Sequence, residues 1–132
     1  CYLPAFSLSG KTVLDIGAGC GETAFFYLLH GARKIIAIEP DEKALECLRE
    51  NVEKNNWNVK VIPEAFKLDH LNIFHDFMKM DIEGHEKELL KASVIKPCVV
   101  EVHTNELTQK FEKKGFKTIY SCGNNNLMSF IP

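Results

Sequence analysis

The sequence predicts an α/β fold built on a mainly parallel sheet and finished by an antiparallel hairpin. Three observations carry that prediction. Short β-branched runs alternate with stretches of helical spacing, as expected of βαβ units with right-handed crossovers. Two of the runs, KIIAIE and CVVEV, are almost continuously apolar, as central strands buried on both faces must be. The last two runs are joined only by CGNNN (122–126), too short for a crossover helix, so they must pair as a hairpin.

In chain order the strand-like runs are TVLDI (12–16), KIIAIE (34–39), VKVI (59–62), DFMKMD (76–81), CVVEV (98–102), KTIYS (117–121) and LMSFI (127–131). Between them lie helical stripes. Phe25, Leu28 and Leu29 mark the first, with Phe26 and Tyr27 also expected in the core. Ala44, Leu45, Leu48 and Val52 mark the second, which Asn51, Asn55 and Asn56 are placed to cap and end. Leu89, Leu90 and Val94 mark a third. Leu107 and Phe111 mark a fourth, stopped at Gly115. The segment 63–73 is poorly periodic and predicts a reduced helix or a loop after the third strand. Residues 1–132 read as one domain.

Composition narrows the classes. A hydrophobic fraction of 45% suffices for one continuous core. A formal net charge of -2 and no Lys/Arg cluster argue against a nucleic-acid surface. No run approaches a membrane span, so no membrane partner is expected. Five cysteines, odd in number and without a C-x-x-C pair, predict neither a disulfide framework nor a zinc site, and a reducing cytoplasm. The chain starts at Cys1 rather than Met, so an upstream region is an open expectation.

VLDIGAGCGE (13–22) carries the chemistry. Gly17, Gly19 and Gly21, with Ala18 between the first two, turn the chain sharply at the carboxyl end of the first strand, where open parallel sheets bind ligands. A dinucleotide site asks for G-x-G-x-x-G; here the third glycine comes one position early, and Glu22 would repel a pyrophosphate. No G-K-[ST] follows, which excludes a P-loop. Glu39, followed by Pro40, stands at the spacing where an acid accepts both hydroxyls of a ribose. A nucleoside with a cationic tail and no phosphates suits this set, and S-adenosylmethionine has that form. Its ammonium would meet Asp15 or Asp81, its carboxylate the N–H groups of the bend, and its ribose Glu39. Glu64 and Phe66, after the third strand, are candidates for the adenine.

VLDIGAGCGE and IAIEP together resemble the first two motifs of the Rossmann-like S-adenosylmethionine-dependent methyltransferases. The resemblance implies a seven-stranded sheet whose last strand is antiparallel. IEPDEKALECLRENVEKNN (38–56), KMDIEGHEKELL (79–90) and VVEVH (99–103) resemble the FkbM branch of that superfamily, over roughly residues 11–131. That branch implies O-methylation of a small-molecule or sugar hydroxyl.

The acceptor side is expected around Asp81, Glu83 and Glu86, with Asp81 and Glu83 on one face of a strand reaching about Ile82 and Glu86 shared between helix start and site. Glu101 and His103 also share a face, and His103 is the candidate general base, oriented by Glu101 or Asp81. No ligand spacing points to a metal. His70, His75 and His85 are expected at the surface. The short chain leaves little for an acceptor pocket, so a homodimer completing it is a further expectation. Two alternatives stand beside this reading: a degenerate cofactor-binding domain serving in an assembly, and an RNA methyltransferase without its recognition domain.

Overall fold

The computed structural model describes residues 4 and 6–132. Strands β1 (Thr12–Ile16), β2 (Lys34–Ile38), β3 (Val59–Ile62), β4 (Phe77–Met80) and β5 (Cys98–Val102) run parallel. Strands β6 (Lys117–Cys122) and β7 (Asn125–Phe130) complete a seven-stranded sheet in the order β3-β2-β1-β4-β5-β7-β6, with β7 antiparallel to both its neighbours. The strand order reverses at β1 and β4, so the carboxyl ends of these two strands open onto the crevice where such sheets bind ligands.

Alternation along the central strands divides the core. Leu14, Ile16, Ile36 and Ile38 pack on one face with Met78, Met80, Leu89 and Phe111. Val13 and Ile35 pack on the other with Ala24 and Tyr27 of helix α1 (Glu22–Leu29), and Ala37 with Leu48 of α2 (Glu42–Asn55). Helix α2 is capped by Asp41, whose side chain accepts the Ala44 N–H at 2.9 Å, and ends on Asn56 at φ 51. Helix α3 (Asn105–Lys113) is capped by Thr104, which accepts the Leu107 N–H at 3.2 Å.

Several sequence expectations need correction. The connection after β3 is indeed reduced, to a 3-10 turn at Leu68–Asn72, but the third helical stripe also shrinks to a 3-10 turn, Glu86–Lys91. Val94, expected in that stripe, is exposed. Only Ala24 and Tyr27 of α1 are buried; Phe25 and Leu29 face outward, and Phe25 stacks on Trp57 with ring centroids 5.4 Å apart. The hairpin is tighter than expected, because β6 runs to Cys122 and β7 begins at Asn125, with Gly123 at φ 60 supplying the turn. His70 and His75 are buried rather than superficial, each tied to nearby backbone: His70 Nδ1 accepts the Lys67 N–H, and His75 Nδ1 lies 2.7 Å from the Ile73 carbonyl.

Candidate functional site

The glycine bend folds over the end of β2. The N–H groups of Gly17 and Ala18 both donate to the Ile38 carbonyl, at 2.9 and 3.2 Å. Gly17, at φ 75, lies so close to the next loop that a Cβ there would stand 1.9 Å from the Asp81 carbonyl oxygen. Only glycine satisfies both conditions. Gly21, at φ 102, is less tightly confined, with the Leu48 side chain 2.8 Å from its notional Cβ.

Glu39 sits one residue past β2 and is 8% exposed. Its Oε2 accepts the Gly19 N–H and its Oε1 the Asp41 N–H, both at 2.9 Å. Two backbone bonds hold the carboxylate in one orientation, and each oxygen keeps a lone pair for a further donor.

Beneath the bend lies a buried ion pair. Asp15 and Lys79 are opposite each other in the β1–β4 register and are 0% and 3% exposed. Lys79 Nζ donates to the Gly17 carbonyl at 2.7 Å and stands 3.2 Å from Asp15 Oδ1. The Asp15 Oδ1 contact is in ion-pair range but lacks hydrogen-bond geometry, while Thr23 Oγ1 donates to Asp15 Oδ2 at 2.6 Å. Burial pushes the Asp15 carboxyl above its usual range, against the opposing pull of Lys79 and then of Thr23.

These elements wall a cleft of about 530 Å³ at the carboxyl ends of the strands. Of the residues singled out in the sequence, Gly17, Gly19, Glu39, Pro40, Phe66, Asp81 and Glu83 line it. Ile16, Ile38 and Ala65 add apolar wall. His85 and Glu88 line it too, and the sequence reading placed neither there, since nothing in HEKELL marks a loop that curls back over the cleft.

Other expected residues lie elsewhere. Asp15 and Ala18 are buried behind the bend, and Gly21 packs on α2. Glu22 is exposed at the start of α1. Glu64 is outside the cleft lining: it points to Lys67 at 2.8 Å and His70 at 3.4 Å, and the Lys67 ammonium holds its carboxyl below the usual range.

Across the cleft β4 stops at Met80, so Asp81 and Glu83 are on a loop rather than one strand face. Glu83 at φ 36 and Gly84 at φ 90 turn that loop sharply. Glu86 is 0% exposed and anchors it: one carboxylate oxygen accepts the Gly84 N–H at 2.6 Å, the other the His103 N–H at 3.0 Å. The same Oε1 lies 3.0 Å from His103 Nδ1, which therefore carries the ring proton toward the carboxylate. Burial pushes the Glu86 carboxyl up, but the backbone and His103 hydrogen bonds outweigh it and hold the group below its usual range.

His103 follows β5 by one residue, and its Nε2 faces Asp81 Oδ1 at 3.7 Å and Glu101 Oε1 at 3.9 Å. It sits beside the cleft, behind Asp81, rather than in its lining. Burial raises the Asp81 carboxyl above its usual range; Lys79 and His103 oppose the rise, whereas Glu101 and Glu83 add to it.

The sequence matches the family of ribosomal protein L11 methyltransferase (PrmA) over residues 2–115. The chain belongs to that family. That family is one of S-adenosylmethionine-dependent methyltransferases with a Rossmann-like fold. Among curated relatives, a ribosomal protein L11 methyltransferase of Thermotoga neapolitana is 28% identical over 134 residues, spanning 89% of this chain and 48% of its own length. The protein of that name from Desulforamulus reducens is 29% identical over 131 residues, covering 89% and 42%. The chain thus spans about half the length of these relatives.

Solved structures share the fold. The ribosomal protein L11 methylase of Lactobacillus delbrueckii subsp. bulgaricus superposes with a TM-score of 0.68 at 14% identity, over 92% of this chain and 69% of that one. A precorrin-6Y C5,15-methyltransferase of Geobacter metallireducens gives 0.69 at 18%, over 94% and 81%. The family that matches is PrmA's rather than the FkbM branch suggested by the motifs. The expected small-molecule hydroxyl acceptor is also overturned, because the family and the relatives are named for a ribosomal protein.

Proposed function

We propose that the cleft binds S-adenosylmethionine and that the chain directs its methyl group to an amine of a protein acceptor. Ribosomal protein L11, for which the relatives are named, is the first candidate acceptor. The observation that carries the reading is the Glu39 carboxylate, locked by two backbone N–H groups at the rim of the glycine bend.

The residues present fit the cofactor. Glycines at 17 and 19 keep side chains out of the cleft floor. Glu39 offers lone pairs to the ribose hydroxyls, Phe66 an apolar face to the adenine, and Asp81 a carboxylate to the ammonium. Gly17, Ala18, Gly19 and Gly21 spend their N–H groups inside the chain, so the donors for the ligand carboxylate are those at the start of α1, which has no side-chain cap. Bound there, S-adenosylmethionine supplies an electrophilic methyl group on sulfur.

The acceptor side suits a cation. Asp81, Glu83 and Glu88 line the cleft mouth, where a protein ammonium would be held and desolvated. His103 Nε2, with Nδ1 occupied by Glu86, takes the proton through Asp81, leaving the nitrogen lone pair aligned for transfer. Four described cysteines are free thiols, in keeping with a cytoplasmic setting.

Calorimetric titration with S-adenosylmethionine and S-adenosylhomocysteine tests the cofactor half. Micromolar binding that Glu39→Ala weakens by about 2 kcal/mol, roughly thirtyfold, supports it; no binding by wild type rejects it. Mass spectrometry of L11 after incubation with enzyme and cofactor tests the acceptor, and an unmodified L11 beside a cofactor-binding enzyme rejects that half alone.

A further inference from the structure

The least expected side chain in the sheet is Lys79. It lies in β4 between Met78 and Met80, on a central strand, and is 3% exposed. Burying an ammonium costs several kcal/mol unless charge and hydrogen bonds compensate it. An apolar pair at Asp15 and Lys79 would stabilise the sheet as well or better, so stability alone does not account for the lysine.

Two of its contacts bear on the bend that walls the cleft. The Gly17–Ala18 peptide is held at both ends: Lys79 Nζ donates to its carbonyl at 2.7 Å, and its N–H donates to the Ile38 carbonyl at 3.2 Å. That clamp keeps Gly17 pressed on the Asp81 backbone. Behind the bend the ammonium faces Asp15, whose carboxyl also accepts from Thr23 and feels the charge of Glu39. In front it acts on Asp81, which Glu83 on its own loop and Glu101 and His103 at the end of β5 also face.

We propose that Lys79 is a positioning residue for the methyl donor: from beneath the bend it orients the Gly17 peptide and balances the carboxylates on either side of it, Asp15 behind and Asp81 in the cleft. The proposal rests on the reading that the cleft binds S-adenosylmethionine. Without Lys79 the bend loses the donor that holds its first carbonyl. Asp81 loses the stronger of the two charges opposing its protonation, the other being His103, so a cationic ligand meets a neutral group at higher pH than in the wild type.

The test is calorimetric titration of S-adenosylmethionine between pH 5.5 and 8.5 on wild type, Lys79→Met and the double variant Asp15→Asn/Lys79→Met. The double variant buries no unpaired charge and keeps the experiment readable should the single variant fail to fold. Both variants are expected to bind about tenfold or more weakly at pH 8, with the decline on acidification beginning at higher pH than in wild type. A folded variant with wild-type affinity and an unmoved pH profile overturns the role of Lys79. A wild type that binds nothing overturns the cofactor reading itself, and the proposal with it.

Discussion

Glu86→Ala removes one carboxylate that accepts three hydrogen bonds, from the Gly84 N–H, the His103 N–H and the His103 ring. Each bond to a buried charged acceptor contributes about 1.5–3 kcal/mol, a figure that includes stranding the donor. His103 is one-fifth exposed at its side chain, so water reaches part of the gap and the lower end of that range applies. The expected loss is about 4 kcal/mol, a large share of the roughly 5–15 kcal/mol that holds a domain together. Urea unfolding followed by the fluorescence of Trp57, the one tryptophan, measures it. The pH dependence supplies a second reading. The folded pKa of Glu86 lies below its ordinary value, so its contribution is complete above that ordinary value and is lost as pH falls through the lower folded one. The alanine variant should lack that acid-labile component. A loss under about 1 kcal/mol, with the acid limb unchanged, would refute the anchoring role.

Two further substitutions separate backbone demands from chemistry. Gly17→Ala places a methyl group 1.9 Å from the Asp81 carbonyl at a φ of 75, and should cost about 3 kcal/mol and most of the cofactor affinity; a thermal melt and a titration matching wild type would contradict this. Glu83→Gly relieves a left-handed φ of 36 and should raise stability by about 1 kcal/mol while reducing methyl transfer; a lower melting temperature would mean that the carboxylate, not the backbone, governs the loop.

The sheet and the glycine-bend wall of the cleft were legible because both rest on local signals. Apolar runs such as KIIAIE report burial on two faces, and the offsets from Gly17 and Gly19 to Glu39 report a bend and an acid at neighbouring strand ends. What sequence reading missed depends on contacts between distant segments. Lys79 reads as one polar residue in an apolar strand, and only the register with Asp15 and the return of Gly17 above it give the ammonium its partners. Glu86 looks like a helix-start acid, yet it bonds across seventeen residues to His103. Glu64 stood at a plausible offset, but Lys67 and His70, three and six residues on, turn it away from the cleft.

The contact between Gly17 and the Asp81 carbonyl has a mechanical consequence. The loop that would cradle the methyl donor and the loop that would meet its acceptor touch backbone to backbone, with less than a methyl group of slack between them. An acceptor pressing on residues 81–84 therefore displaces the donor side directly, with no side chain to absorb the movement. The two loops form a single jaw, and a substitution that reshapes one must be matched in the other.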